Sequence, residues 1–297
     1  MGGGGMTDGA GANVDAGEKA GEHADGSGAT VRIAVGQVLS GASPRENLAL
    51  LAQTAERAAE RGARVLVFPE AAMARFGVPL GPVAQPLDGP WAAGVREIAA
   101  RHGLLVVAGM FTPDPDGRVR NTLLITGRGV DTWYDKVHLF DAFGFTESRT
   151  VAPGDRVVTA DADGVRFGFA TCYDVRFPEL FVRLAGLGAR VILVPASWGA
   201  GEGKREQWEL LVRARALDST CWVVAVGQAD PAAVGEDPGT SAPTGIGHSM
   251  VVSPLGEVRA RLGAEPGLLV ADVEVGQVAA ARSSVPVIAN RRPEAYR

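Results

Sequence analysis

Short runs of apolar, often β-branched residues alternate along the chain with longer segments rich in Ala, Leu, Glu and Arg. The short runs predict strands and the longer segments predict helices. The predicted strands are 31–38, 63–69, 104–110, 122–127, 165–171, 190–196, 221–227, 249–253 and 268–273, and the predicted helices are 45–62, 91–102, 178–188 and 204–219. Several strands are apolar throughout, as expected where both faces of a sheet are covered. The pattern therefore predicts an α/β fold with helices packed on sheets.

The two ends of the chain lack this pattern. Residues 1–30 are rich in Gly, Ala and acidic residues, a composition that predicts a disordered tail, and Met6 offers an alternative start. No linker divides residues 31–285 and no internal repeat is visible, which predicts a single domain. Residues 286–297, with Pro286 and Pro293, are predicted to form an extended C-terminal arm.

Composition and charge exclude several classes of function. Hydrophobic residues make up 46% and charged residues 21% of the chain, as in a globular protein with a sizeable core. The net charge is −5, and the tail carries −4 of it through five carboxylates and one lysine, so the nearly neutral remainder predicts no binding to nucleic acid. No apolar stretch approaches the roughly 18 residues of a membrane span, and the N-terminus lacks a secretory pattern. With only two cysteines, the chain is predicted to be cytoplasmic and free of disulfides.

Three residues with catalytic chemistry are interpreted as lying at or just beyond the carboxyl ends of strands. Glu70 ends the run RVLVFPE, Lys136 follows TWYD, and Cys172 ends VRFGFATC. In α/β folds, active sites lie at the carboxyl ends of strands. A cysteine at such a turn lies near backbone N–H groups and a helix start, which are expected to lower its pKa and to hold an oxyanion. Because a carboxylate can accept the thiol proton and an ammonium can stabilise a tetrahedral intermediate, the three residues together predict nucleophilic catalysis.

Each of these residues also has a structural interpretation. Cys172 can be a small core residue, Glu70 a helix cap and Lys136 a solvated surface charge. Their joint occurrence at strand ends favours catalysis. Cys221 lies inside the apolar run CWVVAVG and is predicted to be a core residue. The four histidines show no metal-ligand spacing, so no metal site is predicted.

These segments resemble the nitrilase, or carbon–nitrogen hydrolase, superfamily over nearly all of residues 31–285. The resemblance rests on VFPE ending in Glu70, YDKVHLF with Lys136, ATCYDVRFPEL with Cys172 and PASW at 195–198, in that order. It implies a four-layer αββα sandwich that pairs across its helices as a homodimer or a higher homo-oligomer. It also implies a Glu-Lys-Cys catalytic set, a small-molecule amide substrate, and neither metal nor organic cofactor.

Carried over to this chain, the resemblance makes Cys172 the nucleophile, Glu70 the general base and Lys136 the oxyanion stabiliser. Glu147, in FGFTES, matches a second glutamate that orients the lysine; its alternative is a loop surface charge. The backbone N–H of Tyr173 is expected to complete the oxyanion site, whereas its ring would only pack. The implied reaction forms a thioester with release of ammonia, and a water activated by Glu70 then hydrolyses it.

Within the superfamily, CYDVRFPE and GHSMVVSPLGE are most similar to the Nit branch, which hydrolyses ω-amides of keto acids and deaminated glutathione. The resemblance makes Arg176 a candidate to bind a substrate carboxylate, because a guanidinium can hold it with two hydrogen bonds. A structural ion pair with a neighbouring carboxylate is the alternative. Trp198 and Phe145 are candidates to line the pocket, and the alternative for both is the core.

Other functions stay open at this level. A nitrilase or an acyltransferase of the superfamily would use the same thiol, and a non-catalytic binding protein would keep the fold. Segments 139–148 and 196–208, which border the expected pocket, differ from the better-known amidases. The stretch 230–245 is predicted to be a flexible insertion that acts as a lid. The sequence therefore predicts an amidase for a carboxylate-bearing ω-amide whose identity it does not define.

Overall fold

A computed structural model describes Met1 and residues 29–142, 144–237 and 239–296. The strands are β1 (Thr30–Gln37), β2 (Val65–Val67), β3 (Leu105–Pro113), β4 (Val119–Gly127), β5 (Val130–Asp135), β6 (Asp141–Ala142), β7 (Phe145–Thr146), β8 (Val151–Ala152), β9 (Thr159–Ala162), β10 (Val165–Phe169), β11 (Val191–Ala196), β12 (Trp222–Gly227), β13 (Met250–Val252), β14 (Val258–Arg261) and β15 (Gly267–Glu274). The α-helices are α1 (Pro44–Glu60), α2 (Pro90–His102), α3 (Pro178–Gly186), α4 (Lys204–Ser219) and α5 (Gly276–Ser284).

Two sheets carry the fold. The first has the order β15-β1-β2-β3-β4-β5, with β8 beside β4, and the second has the order β14-β13-β12-β11-β10-β9. In the first sheet, β1, β2 and β3 run parallel, and in the second, β10, β11 and β12 run parallel. Antiparallel strands complete both sheets. The carboxyl ends of the central parallel strands are therefore available in each sheet to hold functional groups.

Three apolar clusters define the layers. The facing sides of the two sheets form a central cluster that includes Val67 and Phe167. Helices α1 and α2 cover the outer face of the first sheet, where Trp91 is buried. Helices α3 and α4 cover the outer face of the second sheet, where Trp208 is buried. The predicted four-layer αββα sandwich is confirmed.

All nine predicted strands and all four predicted helices form, with boundaries that differ by a few residues. The strands that the pattern missed are short or lie toward sheet edges, where exposed polar residues interrupt the apolar run. In β5, only one residue of VDTWYD is fully buried, and no residue of β14 is. The pattern also missed α5, whose nine residues bury only Val278 and Ala281. Burial of a few residues against a neighbouring element leaves little periodicity to detect.

The segment after α5 has some local structure. Within residues 286–296, the chain forms a turn at 287–290 and a 3-10 helix at Pro293–Tyr296, and the C-terminal arm stays a prediction. The tail predicted for residues 1–30 lies almost entirely outside the described residues. Across the part of the chain that the structure describes, no helix has both the length and the apolar character needed to cross a bilayer.

Candidate active site

Glu70 lies in the loop that follows β2 of the first sheet, and Gly109 of β3 lies directly beneath this loop. The Gly109 N–H donates to the Pro69 carbonyl (3.2 Å), and the Met73 N–H donates to the Gly109 carbonyl (2.9 Å). A Cβ at position 109 would lie 2.6 Å from the Ala71 nitrogen, closer than folded proteins allow. The loop therefore needs a glycine at this point of β3 to place Glu70 where it is.

Cys172 starts a 3-10 helix, Cys172–Arg176, just after β10 of the second sheet. Its φ of +48° lies in the left-handed region, which is uncommon for a residue with a side chain and is typical of strained functional turns. The buried Asp174 stabilises this turn, since its Oδ2 accepts the Thr171 N–H at 2.8 Å. The same carboxylate accepts the Tyr134 hydroxyl (2.7 Å) and the His138 N–H (3.0 Å). Asp174 thus links the turn of the thiol to the end of β5.

Lys136 follows β5, and Glu147 starts the 3-10 helix Glu147–Arg149. Both side chains are buried, each with 2% residue exposure. Interpretation of either residue as a surface charge is therefore wrong. The Lys136 N–H donates to the Asn121 carbonyl (2.9 Å), and the Phe140 N–H donates to Glu147 Oε2 (2.7 Å), so the backbone fixes the position of both.

A buried ammonium lies between two buried carboxylates. Lys136 Nζ donates to Glu70 Oε1 at 3.0 Å and to the two carboxylate oxygens of Glu147 at 2.9 and 3.1 Å. Burial on its own lowers the pKa of Lys136, but the charges of Glu147 and Glu70 outweigh it, and the pKa is raised well above its ordinary value. The lysine is therefore held as an ammonium.

Asn121 of β4 completes this cluster, and sequence reasoning missed it. Its Nδ2 donates to Glu70 Oε1 at 2.7 Å and reaches Glu147 Oε1 at 3.3 Å. The side chain is buried. Because an amide nitrogen carries two N–H donors, one group contacts both carboxylates. The only signal in the sequence is a polar residue immediately before the run TLLITG.

Glu70 is held by donors from both sheets. Its Oε1 accepts from Asn121 and Lys136 of the first sheet, and its Oε2 accepts the Ser197 N–H at 2.8 Å from the end of β11 in the second sheet. The Cys172 thiol lines the same pocket as Glu70. Its sulfur lies 3.8 Å from the Ser197 carbonyl. The backbone of Ser197 is therefore next to both the thiol and the carboxylate.

The pKa of Cys172 is raised well above its ordinary value, mainly by burial and then by the charge of Glu70, which together outweigh the charge of Lys136. The lowering expected from the helix start is wrong. Burial and a nearby carboxylate together disfavour a thiolate more than a helix end favours it. In the resting site the sulfur therefore keeps its proton.

A small pocket leads to the thiol. Its volume is about 40 Å³. Glu70, Lys136, Glu147 and Cys172 line its deep end, and the remaining walls include all four of the residues predicted to contact substrate, Phe145, Tyr173, Arg176 and Trp198. A wider vestibule of about 680 Å³ adjoins it and shares Phe140, Phe145, Lys204 and Pro243. A substrate can therefore present only a narrow group to the sulfur.

The vestibule is bordered by much of the predicted lid, residues 230–245. This stretch starts with a short 3-10 helix, Pro231–Val234. It is fastened next to the thiol, because the Ser197 hydroxyl donates to the Pro243 carbonyl at 2.7 Å. Its action as a lid stays a prediction.

Arg176 is held by α4 and by an aromatic ring. Its Nη2 donates to Gln207 Oε1 at 2.8 Å, and its guanidinium carbon lies 5.2 Å from the centroid of the Trp198 ring. Asp174, the neighbouring carboxylate, bonds to other groups. This geometry leaves Arg176 on the pocket wall with an amide as its hydrogen-bond partner.

Trp198 and Phe145 both line the pocket, and Trp198 is at the same time almost completely buried. Cys221 is fully buried, as predicted. Lys204, the first residue of α4, also lines the pocket, and sequence reasoning missed it. A helix pattern indicates which face is buried and gives no information on where the first residue points. Among the described residues, no group of three or more His, Cys, Asp and Glu side chains could hold a metal ion.

Comparison with known proteins gives a consistent result. The sequence profile described as carbon–nitrogen hydrolase matches residues 32–283. A protein of Mycobacterium tuberculosis strain H37Rv named as a hydrolase is 56% identical over 267 residues, 88% of this chain and 95% of that protein. A deaminated glutathione amidase of Escherichia coli O157:H7 is 33% identical over 265 residues, 88% of this chain and 97% of that protein.

More distant relatives agree. The omega-amidase NIT2 of Homo sapiens is 30% identical over 273 residues, 89% of this chain and 96% of that protein. Among solved structures, Nit3 of Saccharomyces cerevisiae, a member of branch 10 of the nitrilase superfamily, superposes with a TM-score of 0.77 at 25% identity. That match covers 89% of this chain and 96% of Nit3.

Proposed function

Because the chain belongs to the carbon–nitrogen hydrolase family, we propose that it is a cysteine-dependent amidase that releases ammonia from a small carboxylate-bearing ω-amide. The observation that carries this proposal is that the buried thiol of Cys172 and the carboxylate of Glu70 line one pocket beside the backbone of Ser197, with Glu70 paired to the buried ammonium of Lys136. A nucleophile, a base and a fixed positive charge are the groups that acyl transfer needs.

In the first stage, Cys172 attacks the amide carbonyl carbon while its proton passes to Glu70. The raised pKa of the thiol suits this order, because a resting thiolate is not required when a base in the same pocket takes the proton during the attack. The carbonyl oxygen takes up negative charge, which Lys136 Nζ and the Tyr173 N–H stabilise. Glu70 then gives the proton to the nitrogen, the carbon–nitrogen bond breaks, and ammonia leaves a thioester on Cys172.

In the second stage, water replaces ammonia. Glu70 accepts a proton from the water as its oxygen attacks the thioester carbonyl, and the same cation and N–H hold the second oxyanion. The carbon–sulfur bond then breaks, the sulfur regains a proton from Glu70, and the carboxylic acid leaves. The same carboxylate, Glu70, can act in both stages because it is negatively charged again at the end of each stage.

Glu147 keeps Lys136 charged while Glu70 changes its charge. When Glu70 is protonated, the ammonium loses one of its two counter-charges, but the two contacts with Glu147 at 2.9 and 3.1 Å persist. In the resting site, Lys136 Nζ donates to three carboxylate oxygens, one of Glu70 and two of Glu147. Protonation of Glu70 weakens one of these contacts at the moment when the oxyanion needs a donor.

The size and charge of the pocket support the choice of substrate. A volume of about 40 Å³ at the thiol fits a primary amide on an unbranched chain. Arg176 on the pocket wall supplies a charge for a carboxylate at the other end of that chain. Relatives at 30–33% identity are named deaminated glutathione amidase and omega-amidase, and both names denote amide hydrolysis.

Ammonia release from a panel of amides tests the proposal. The panel contains α-ketoglutaramate, α-ketosuccinamate, deaminated glutathione (followed through its released amine), uncharged amides and simple nitriles, each with the native protein and with Cys172→Ala. We expect turnover of a carboxylate-bearing ω-amide that disappears in Cys172→Ala. Equal turnover by both proteins would contradict the thioester. Turnover of nitriles alone would indicate a nitrilase, and dependence on an added amine acceptor would indicate an acyltransferase.

A further inference from the structure

The charges that line the pocket are segregated by position. Two carboxylates, one ammonium and the thiol occupy the deep end, and two cations, Arg176 and Lys204, lie farther out. Among the described lining residues of this pocket, the only carboxylates are the deep pair Glu70 and Glu147, and both already bind Lys136. The outer part of this lining is therefore marked by two cationic side chains.

The same structural elements hold both cations in place. Lys204 is the first residue of α4, and its backbone carbonyl accepts the Trp198 indole N–H at 2.9 Å. Arg176 lies over the same indole ring and donates to Gln207, one turn further along α4. Lys204 Nζ lies 5.8 Å from the centroid of the Phe140 ring. Aromatic faces and the start of α4 thus confine two long cationic side chains to one part of the pocket.

Two cationic side chains so placed favour an anion that contacts both. Burial and the charge of Arg176 both lower the pKa of Lys204, and a carboxylate beside the two side chains would favour their charged forms. Lys204 and Cys172 line the same pocket of about 40 Å³, so the subsite and the reacting sulfur are close. A short chain can therefore connect an anion at this position to a carbonyl at the thiol.

We propose that Lys204 and Arg176 together form a two-cation subsite for the terminal carboxylate of the acyl group, with Lys204 a determinant of specificity. The substrates of this subsite are monoamides of short dicarboxylic acids, and uncharged amides are disfavoured. This inference rests on the proposed amidase function, but it concerns recognition of the acyl group and adds a residue to which no role has been given.

Two variants of adjacent residues test the role of Lys204 in turnover. Lys204→Met removes the inner charge, and Arg205→Met removes an exposed charge that pairs with Glu209 on the outer side of α4. For succinamate and glutaramate, we expect Lys204→Met to raise KM about 10- to 100-fold, the usual scale for loss of a partly desolvated charge contact. For butyramide, which is uncharged, kcat/KM should change less than about threefold. Arg205→Met should change neither.

A loss by Lys204→Met that is equal for charged and uncharged amides would overturn the subsite, and so would unchanged KM values. The pH dependence gives a second signature. Since the pKa of Lys204 is lowered, KM for succinamate should rise with pH below the ordinary lysine range in the native protein. This rise should be absent in Lys204→Met.

A chemical measurement separates failure of the subsite from failure of the amidase proposal. Iodoacetate and iodoacetamide alkylate the same sulfur but differ in charge, so the ratio of their rates reports local recognition of a carboxylate. Cys172→Ala gives the background, and glutathione gives the reference ratio. We expect the native ratio to exceed that of glutathione and to fall at least about fivefold in Lys204→Met but not in Arg205→Met.

This ratio does not depend on turnover. If the protein shows no amidase activity but its alkylation ratio still falls in Lys204→Met, the subsite is supported and the proposed function is wrong. If the protein is an active amidase but its ratio equals that of glutathione, or does not change in Lys204→Met, the proposed function is supported and the subsite is wrong.

Discussion

Replacement of Gly109 by alanine is expected to remove most of the activity while the protein stays folded. The new Cβ would lie 2.6 Å from the Ala71 nitrogen and 2.7 Å from the Pro69 oxygen, whereas ordinary contacts begin at 3.4 Å. The loop that carries Glu70 must therefore move by about 0.8 Å, the difference between 3.4 and 2.6 Å. Overpacking of this kind destabilises a protein by about 1–3 kcal/mol, which a stable domain tolerates.

The effect on catalysis should be larger. Glu70 is held by three hydrogen bonds of 2.7–3.0 Å, so it cannot move without losing alignment with at least one partner. Misplacement of a catalytic group by about 1 Å can lower a rate about 100-fold. The assay is kcat/KM for ammonia release, together with thermal unfolding followed by circular dichroism.

Gly186→Ala is the matched control. No atom lies within 4 Å of a Cβ at this position near the end of α3, so activity should be unchanged and stability equal or slightly higher. A folded Gly109→Ala protein with the native kcat/KM would refute the argument that this glycine positions Glu70.

Three further substitutions test the deep end of the pocket. Glu70→Gln should lower turnover by at least about 100-fold, because the glutamine cannot accept the thiol proton. Since the Glu70 charge helps to raise the pKa of Cys172, the pH profile of alkylation by iodoacetamide should also move to lower pH in this variant. Unchanged turnover, or an alkylation profile shifted to higher pH, would contradict the role of Glu70 as the base. Glu147→Gln removes the largest favourable charge on Lys136, so the pKa of Lys136 should fall and the alkaline limb of kcat should move to lower pH, and an unmoved limb would count against it. Asn121→Leu removes the donor shared by both glutamates and should lower kcat about 10- to 100-fold with little change in KM, as expected for charge-assisted hydrogen bonds of about 1.5–3 kcal/mol; a rise in KM alone would assign Asn121 to substrate binding instead.

The sequence could predict the elements and residues whose signal is local. Glu70 and Cys172 each follow a buried apolar run that predicted a strand. The strand before Lys136, β5, was missed, so that residue was identified by its chemistry and by the resemblance of YDKVHLF to the family. Apolar runs likewise located the central strands of both sheets. Edge strands such as β14 were missed because no residue in it is fully buried.

Other properties depend on the distance between residues far apart in the chain. The raised pKa of Cys172 arises from burial and from Glu70, and neither can be inferred from a turn next to a helix start. Asn121 matters because antiparallel pairing places its side chain beside two carboxylates, and a strand pattern does not define that neighbourhood. The sequence pattern did not identify Lys204, because its position on the pocket wall depends on where the first residue of α4 points.

The hydrogen bond from the Ser197 N–H to Glu70 Oε2 joins the end of a strand in one sheet to the loop after a strand in the other. The Gln228 amide, which follows β12, also donates across this boundary, to the Glu70 carbonyl at 3.0 Å. Neither half of the sandwich contains a complete set of reactive groups. A partly folded chain with only one sheet formed holds a base without its thiol, or a thiol without its base. We therefore expect activity to require both sheets, packed against each other, and loosened contact between the halves should abolish activity before the secondary structure is lost.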